Sequence, residues 1–200
     1  MNKSTQIQSS LAKVEDSVLI LIDIQDYFLK KYSEVVSKVV MEKAVWLINL
    51  AQHLNVPIVA MAEDIENSGG LSKTILEALP KGVKVHNKNV FGLGGHPEIL
   101  QDIEVTGRKT AVLIGMETDV CVAHSAFHLI DRGYKVVVLK DAVATTSDSD
   151  GEVGLGRMRD AGAAISSAKG IYYEWLRSVQ NLESLLEKTP EIKKFSPMEL

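Results

Sequence analysis

A single cysteine, Cys121, stands in a chain of 200 residues, so no disulfide can form within it. Small scaffolds stapled by several bridges are excluded, and the lone thiol either fills apolar space or does chemistry in a reducing compartment. An excess of one charge is also missing. The 22 basic and 26 acidic residues leave a net charge of −4 and no electrostatic footprint for a phosphate backbone, so nucleic acid is not an expected partner. No apolar run approaches the ~18 residues that span a bilayer. Met1 to Ala12 is polar and lacks the apolar core of a signal peptide. No membrane partner is expected, and a cytoplasmic location is. Aromatics are scarce at 6% and prolines number 5, while 46% apolar and 24% charged residues are ordinary for a globular chain. Disordered and fibrous classes fall away. The length suits one domain over residues 1–200 that buries roughly 70% of its unfolded surface, enough for a core without staples.

What is present is an alternation. Val18 to Asp23 is a continuous apolar run ending in a carboxylate, the pattern of a strand buried on both faces of a parallel sheet. From Glu34 to Leu54, apolar residues recur at three and four, predicting a long amphipathic helix. Pro57 to Ala62 reads as a second strand, and Glu63 to Gly70 as an acidic loop. A short helix over Leu71 to Leu79 follows, then a weaker strand from Val83 to Asn87 that leads to Lys88. Gly92 to Gly95 reads as a turn before a helix near Pro97. Strands at Thr110 to Gly115, Lys135 to Leu139 and Ala163 to Ser166 alternate with helices at Val120 to Arg132, Glu152 to Asp160 and Ile171 to Arg177. The expected architecture is an α/β, three-layer α-β-α, doubly wound sheet of six mostly parallel strands. Its core spans about residues 15–178, with a peripheral tail over 179–200.

Asp23, Lys88 and Cys121 each lie at or just past the carboxyl end of an expected strand, the edge where such sheets bind ligands. Each alone has a plainer reading: a turn-forming Asp, a solvated Lys, a buried apolar Cys. The context Gly115-Met-Glu-Thr-Asp-Val-Cys121 places the thiol where a helix opens. There the helix dipole and a nearby ammonium are expected to push it toward thiolate. His124 and His128 sit four apart on that helix without a His-Glu-x-x-His pattern, so structural roles are expected and no metal is. Neither a phosphate loop nor a Gly-x-Gly-x-x-Gly turn is found, so no nucleotide cofactor is expected.

Leu113-Ile-Gly-Met-Glu-Thr-Asp-Val-Cys-Val122 resembles the isochorismatase-like cysteine hydrolases, which include nicotinamidases, N-carbamoylsarcosine amidases and ureidoacrylate amidohydrolases. The resemblance extends to Leu21-Ile-Asp-Ile-Gln-Asp-Tyr-Phe28, Asn87-Lys-Asn-Val-Phe91, Lys140-Asp-Ala-Val143 and Arg157-Met-Arg-Asp-Ala-Gly162, covering residues 15–178. It implies that Cys121 is the nucleophile, Asp23 the catalytic carboxylate and Lys88 the accompanying cation. It also implies a non-proline cis peptide at Met116-Glu117, with the Glu117 and Cys121 backbone N–H groups forming an oxyanion hole. Gln25, Phe28, Phe91 and Thr118 are candidates to line the substrate pocket.

The implied activity is hydrolysis of a C–N bond in a small amide or ureido substrate through a thioester, with no cofactor. Two departures matter. Nicotinamidases resemble one another in an Asp-x-His metal motif where this chain has Glu63-Asp-Ile-Glu66, and many members carry Phe-Ser where Phe91-Gly92 stands. The alternatives are an isochorismatase-type vinyl ether hydrolase and a non-catalytic binding protein on the same fold. A homo-oligomer, dimer or higher, is implied by the resemblance. Ala123, Ala126 and Phe127, with the Tyr172, Tyr173 and Trp175 cluster, are the expected exposed surface, unless the rings merely cap the sheet.

Overall fold

The computed structural model describes residues 11–189 and 192. Strand β1 (Ser17–Ile22) leads through a short α1 (Asp26–Leu29) to the long α2 (Glu34–His53). Then come β2 (Ile58–Glu63), α3 (Ile65–Ser68), α4 (Lys73–Ala78), β3 (Val85–Lys88) and α5 (Pro97–Val105). The second half holds β4 (Thr110–Met116), a π-helical turn (Thr118–Val122) running into α6 (Ala123–Asp131), and β5 (Lys135–Ala144). It closes with α7 (Asp148–Asp160), β6 (Ala164–Ser166), α8 (Ala168–Leu176) and α9 (Val179–Lys188). The expected tail thus begins as a helix. Its last part, with Met1 to Ser10, lies outside the described residues.

The six strands are all parallel in the order β3-β2-β1-β4-β5-β6. The order reverses between β1 and β4, so the carboxyl ends of these two strands flank the crevice where doubly wound sheets take ligands. Period-two alternation divides the core. Leu19, Leu21, Ala60, Val112 and Ile114 face α2 and α8, while Val18, Ile20, Met61, Ala111 and Leu113 face α5, α6 and α7. Both sheet faces are covered, and the strands therefore read as unbroken apolar runs.

Gly115 has φ +127°, and a Cβ there would overlap the Ile22 carbonyl. Glycine lets β4 close against the end of β1, one residue before Asp23. Beyond an irregularity between Leu113 and Gly115, β5 runs on to Ala144, five residues past its expected end. Helix α7 starts at Asp148 rather than Glu152, because Ser147 accepts from the Asp150 N–H as its cap.

The aromatic cluster corrects the expectation of an exposed surface. Tyr172 and Trp175 are buried, Tyr172 packing at a tilt against Trp46 and the Trp175 indole donating to Ser17 Oγ. Ala123 and Ala126 lie on the buried face of α6, and Phe127 is half-buried beneath Arg157. Of the three rings only Tyr173 is exposed, so the rings cap the sheet. Large apolar side chains gain more from this burial than from water contact.

Candidate active site

Four strand ends converge. Asp23 follows β1 with φ +53°, a left-handed backbone uncommon for a residue with a side chain. Glu63 ends β2 and Lys88 ends β3, paired in register. Cys121 lies within the turn after β4. The Lys88 ammonium sits 2.7 Å from Asp23 Oδ2, 2.9 Å from Glu63 Oε2 and 3.4 Å from Cys121 Sγ. The thiol donates to the same Glu63 Oε2 at 3.1 Å. Asp23 and Lys88 are wholly buried and Cys121 nearly so, whereas the Glu63 side chain keeps 19% exposure. Two carboxylates, one ammonium and one thiol thus share a pocket with little water.

Burial dominates the electrostatics. It raises the Asp23 carboxyl to about 7, against the opposing pull of Lys88. Burial alone would lower Lys88, but Asp23, the sulfur and Glu63 together raise it, so it stays an ammonium. The Cys121 thiol is pushed up, first by burial and then by the Asp23 carboxylate, with Lys88 only partly offsetting them. This reverses the expected drift toward thiolate. The helix opens with a π-helical turn, and two carboxylates outnumber the one ammonium. The resting sulfur is a protonated thiol whose proton already points at a carboxylate.

Gln25 is fully buried and clamps the end of β2. Its Nε2 donates to the carbonyls of Glu63 and Gly69 at 2.8 and 2.6 Å, and its Oε1 accepts from the Glu63 N–H at 2.7 Å. Both ends of that amide are committed to backbone. Phe28 is packed in the core. Phe91 is exposed and borders a cleft of about 350 Å3 together with Glu63, Asp64, Glu66, Asn87 and Asn89. Thr118 lies elsewhere, in a groove with Val36, Val39 and Val143. The Met116-Glu117 peptide is cis.

Sequence reasoning missed two residues. Glu63 was assigned to a loop, although it carries the signal that marked Asp23 and Lys88, a charged group closing a parallel strand. Tyr32 gave no signal. Its hydroxyl lies 3.5 Å from Glu117 Oε1 and from the Ala144 carbonyl. Burial and the neighbouring Glu117 carboxylate raise it, with Cys121 among the more distant influences. His128 proves structural: its Nδ1 accepts from the Gly94 N–H at 3.2 Å. A Cβ at Gly92 would come within 2.7 Å of the same atom, so these glycines seat an imidazole rather than a phosphate.

Ligand atoms of Asp23, Glu63 and Cys121 lie within 4.8 Å of one another, the one such cluster among the described residues. Lys88 Nζ already supplies a positive charge to all three, so a metal ion would have to expel an ammonium held at 2.7 Å.

With this geometry in place, likeness to known proteins carries weight. A family model, "Isochorismatase domain", matches residues 17–170. "Isochorismatase domain-containing protein 2" of Xenopus laevis is 30% identical over 164 residues, covering 80% of this chain and 76% of its own. The "Secreted isochorismatase effector Isc1" of Phytophthora sojae is 30% identical over 172 residues, 84% of this chain and 80% of its own. Among solved structures, the MAR1 ribonuclease of Caenorhabditis elegans superposes with TM-score 0.83 at 21% identity, covering 95% of this chain and 94% of its own. The Escherichia coli YcaC gene product, described as an octameric hydrolase of unknown specificity, has TM-score 0.82 at 21% identity and covers 94% and 95%. YcaC from Pseudomonas aeruginosa, solved with hexane-2,5-diol and covalent acrylamide, has TM-score 0.80 at 19% identity and covers 94% and 96%. At these identities the structures show a shared fold.

Proposed function

The chain belongs to the isochorismatase domain family, and on that premise we propose that it is a cysteine hydrolase cleaving the C–N bond of a small amide or ureido substrate. The observation that carries this reading is the contact of one thiol with an ammonium and a carboxylate, beside a second, buried carboxylate. Asp23, with a carboxyl raised to about 7, exchanges protons readily near neutral pH and serves as the base. Because the resting thiol is protonated, the proton leaves as sulfur attacks, in the manner of a base-assisted nucleophile rather than a preformed thiolate. Lys88 holds the developing negative charge on sulfur. The Glu117 and Cys121 backbone N–H groups are assigned to the tetrahedral oxyanion, where one well-aimed donor is worth roughly 3 kcal/mol. Collapse expels the amine and leaves a thioester on Cys121, which water hydrolyses.

The covalent acrylamide in the Pseudomonas neighbour supports a reactive nucleophile in this fold. The cleft bordered by Glu63, Asp64 and Glu66 is acidic, which weighs against the ribonuclease activity named for the Caenorhabditis neighbour. That acidic border also weighs against a dianionic vinyl ether. Cofactor-free chemistry in the cytoplasm and self-association belong to the same proposal, the last supported by the octameric neighbour. No helix among the described residues is long and apolar enough to cross a membrane.

Turnover of a panel of aryl amides, ureido compounds and isochorismate, followed by intact-mass analysis, tests the reading. A thioester on Cys121 that disappears in Cys121→Ala together with activity is expected. Retention of activity in Cys121→Ala would favour the ether hydrolase, and neither adduct nor turnover would favour a binding protein.

A further inference from the structure

An amide nitrogen cannot depart as a free anion, so a proton must meet it beside the attacking sulfur. Asp23 is poorly placed for that delivery. It is wholly buried, with the Lys88 ammonium 2.7 Å from its Oδ2. Glu63 is placed otherwise. One of its oxygens touches both Lys88 Nζ at 2.9 Å and Cys121 Sγ at 3.1 Å. Its side chain keeps 19% exposure and forms a wall of the 350 Å3 cleft. Its position is set with unusual care for an acidic residue at a strand end. The Gln25 amide holds both its N–H and its carbonyl, and the Asp64 N–H that follows donates to the Lys88 carbonyl at 2.9 Å.

We propose that Glu63 is a second catalytic carboxylate, the acid that protonates the leaving nitrogen and afterwards the base that activates the hydrolytic water. The inference rests on the nucleophilic role of Cys121 and divides the proton work between the two carboxylates. Asp23 takes the thiol proton as the S–C bond forms. That proton crosses to Glu63 through Lys88, whose Nζ first releases a proton to Glu63 across the 2.9 Å contact and then takes up the one on Asp23 across the 2.7 Å contact, becoming an ammonium again. The direct S–H contact to Glu63 gives the same products: sulfur bonded to the acyl carbon with the charge on the tetrahedral oxygen, ionised Asp23 and protonated Glu63. As the C–N bond breaks, Glu63 transfers its proton to nitrogen and the neutral amine departs. Ionised Glu63 then removes a proton from water as oxygen attacks the thioester. Sulfur leaves as thiolate and recovers the proton from Glu63, closing the cycle with no oxidant, reductant or metal.

The test separates leaving-group protonation from nucleophile activation. Single-turnover acylation of Cys121 is measured with an anilide and with the p-nitrophenyl ester of the same acyl group, because p-nitrophenolate leaves without needing a proton. Glu63→Gln is expected to lower the amide-to-ester ratio of acylation rates about 100-fold, the size of a general-acid contribution. Glu63→Asp is expected to restore part of it, and Asp23→Asn to slow both substrates together. An unchanged ratio in Glu63→Gln would overturn the inference while leaving the nucleophile intact. Ester acylation in the wild type with no amide accepted at all would instead overturn the amidase reading on which it rests.

Discussion

Asp23 and Cys121 are coupled in their titration through Lys88, because both lie within hydrogen-bonding reach of its ammonium. Asp23 must be ionised to act as a base, so kcat/KM should rise with pH through about 7 and then level, and Asp23→Asn should lose about 100-fold or more. The raised thiol predicts the opposite behaviour toward a simple alkylating agent. Iodoacetamide should label resting Cys121 more slowly than a free thiol at pH 7, with the rate still climbing above pH 9. Parallel pH profiles for turnover and labelling would contradict a base-assisted thiol. The same raised carboxyl links to stability. Between its unfolded value of about 4 and its folded value of about 7, the native state keeps a proton that the unfolded chain has released. That contribution is complete below about 4 and is lost as pH rises through about 7. The three residues were legible because a charged or nucleophilic group closing a buried strand is a conspicuous break in an apolar run. Glu63 was not, because the second strand was ended one residue early and the group fell into a loop. The direction of the thiol's shift was also out of reach, since it depends on how many carboxylates fold around the sulfur.

At the level of elements, the site is a consequence of register. Pairing Ile22 with both Met61 and Gly115, and Glu63 with Lys88, levels the strand ends so that residues 25 or more apart in sequence meet. Gln25 secures this alignment by bonding the Glu63 backbone from the segment after β1. Gln25→Ala should deprive a part-buried N–H and two carbonyls of their side-chain partner, costing roughly 1–3 kcal/mol by urea unfolding. It should also reduce amide turnover more than ester turnover by releasing Glu63. Full stability in that variant would show that the clamp is dispensable. Helix and strand identities were largely readable from periodicity. The missed boundaries have local causes. Gly151, Gly154 and Gly156 weaken the helical signal of α7, which Ser147 capping and packing against the 118–122 turn restore. The extension of β5 required the irregular pairing beside Gly115, which no alternation of residue types announces.

For the whole molecule, burial of the Tyr172 and Trp175 rings removes the exposed aromatic surface expected from the sequence, leaving the family resemblance and the octameric neighbour as support for self-association. Sedimentation velocity at micromolar concentration should therefore give an assembly heavier than 21.9 kDa, and a monomer there would set that part of the proposal aside. The sequence alone determined the α/β class and the parallel sheet, because apolar runs alternating with amphipathic helices leave few other ways to cover both faces of a sheet. Its motifs also identified the family and three of the four groups in the pocket. Tertiary structure decided what chain order does not encode: which rings are buried, which carboxylate faces the cleft, and that the thiol rests protonated. Each of these depends on distances and water exclusion among groups from separate strands, and such quantities exist only once the strands have aligned.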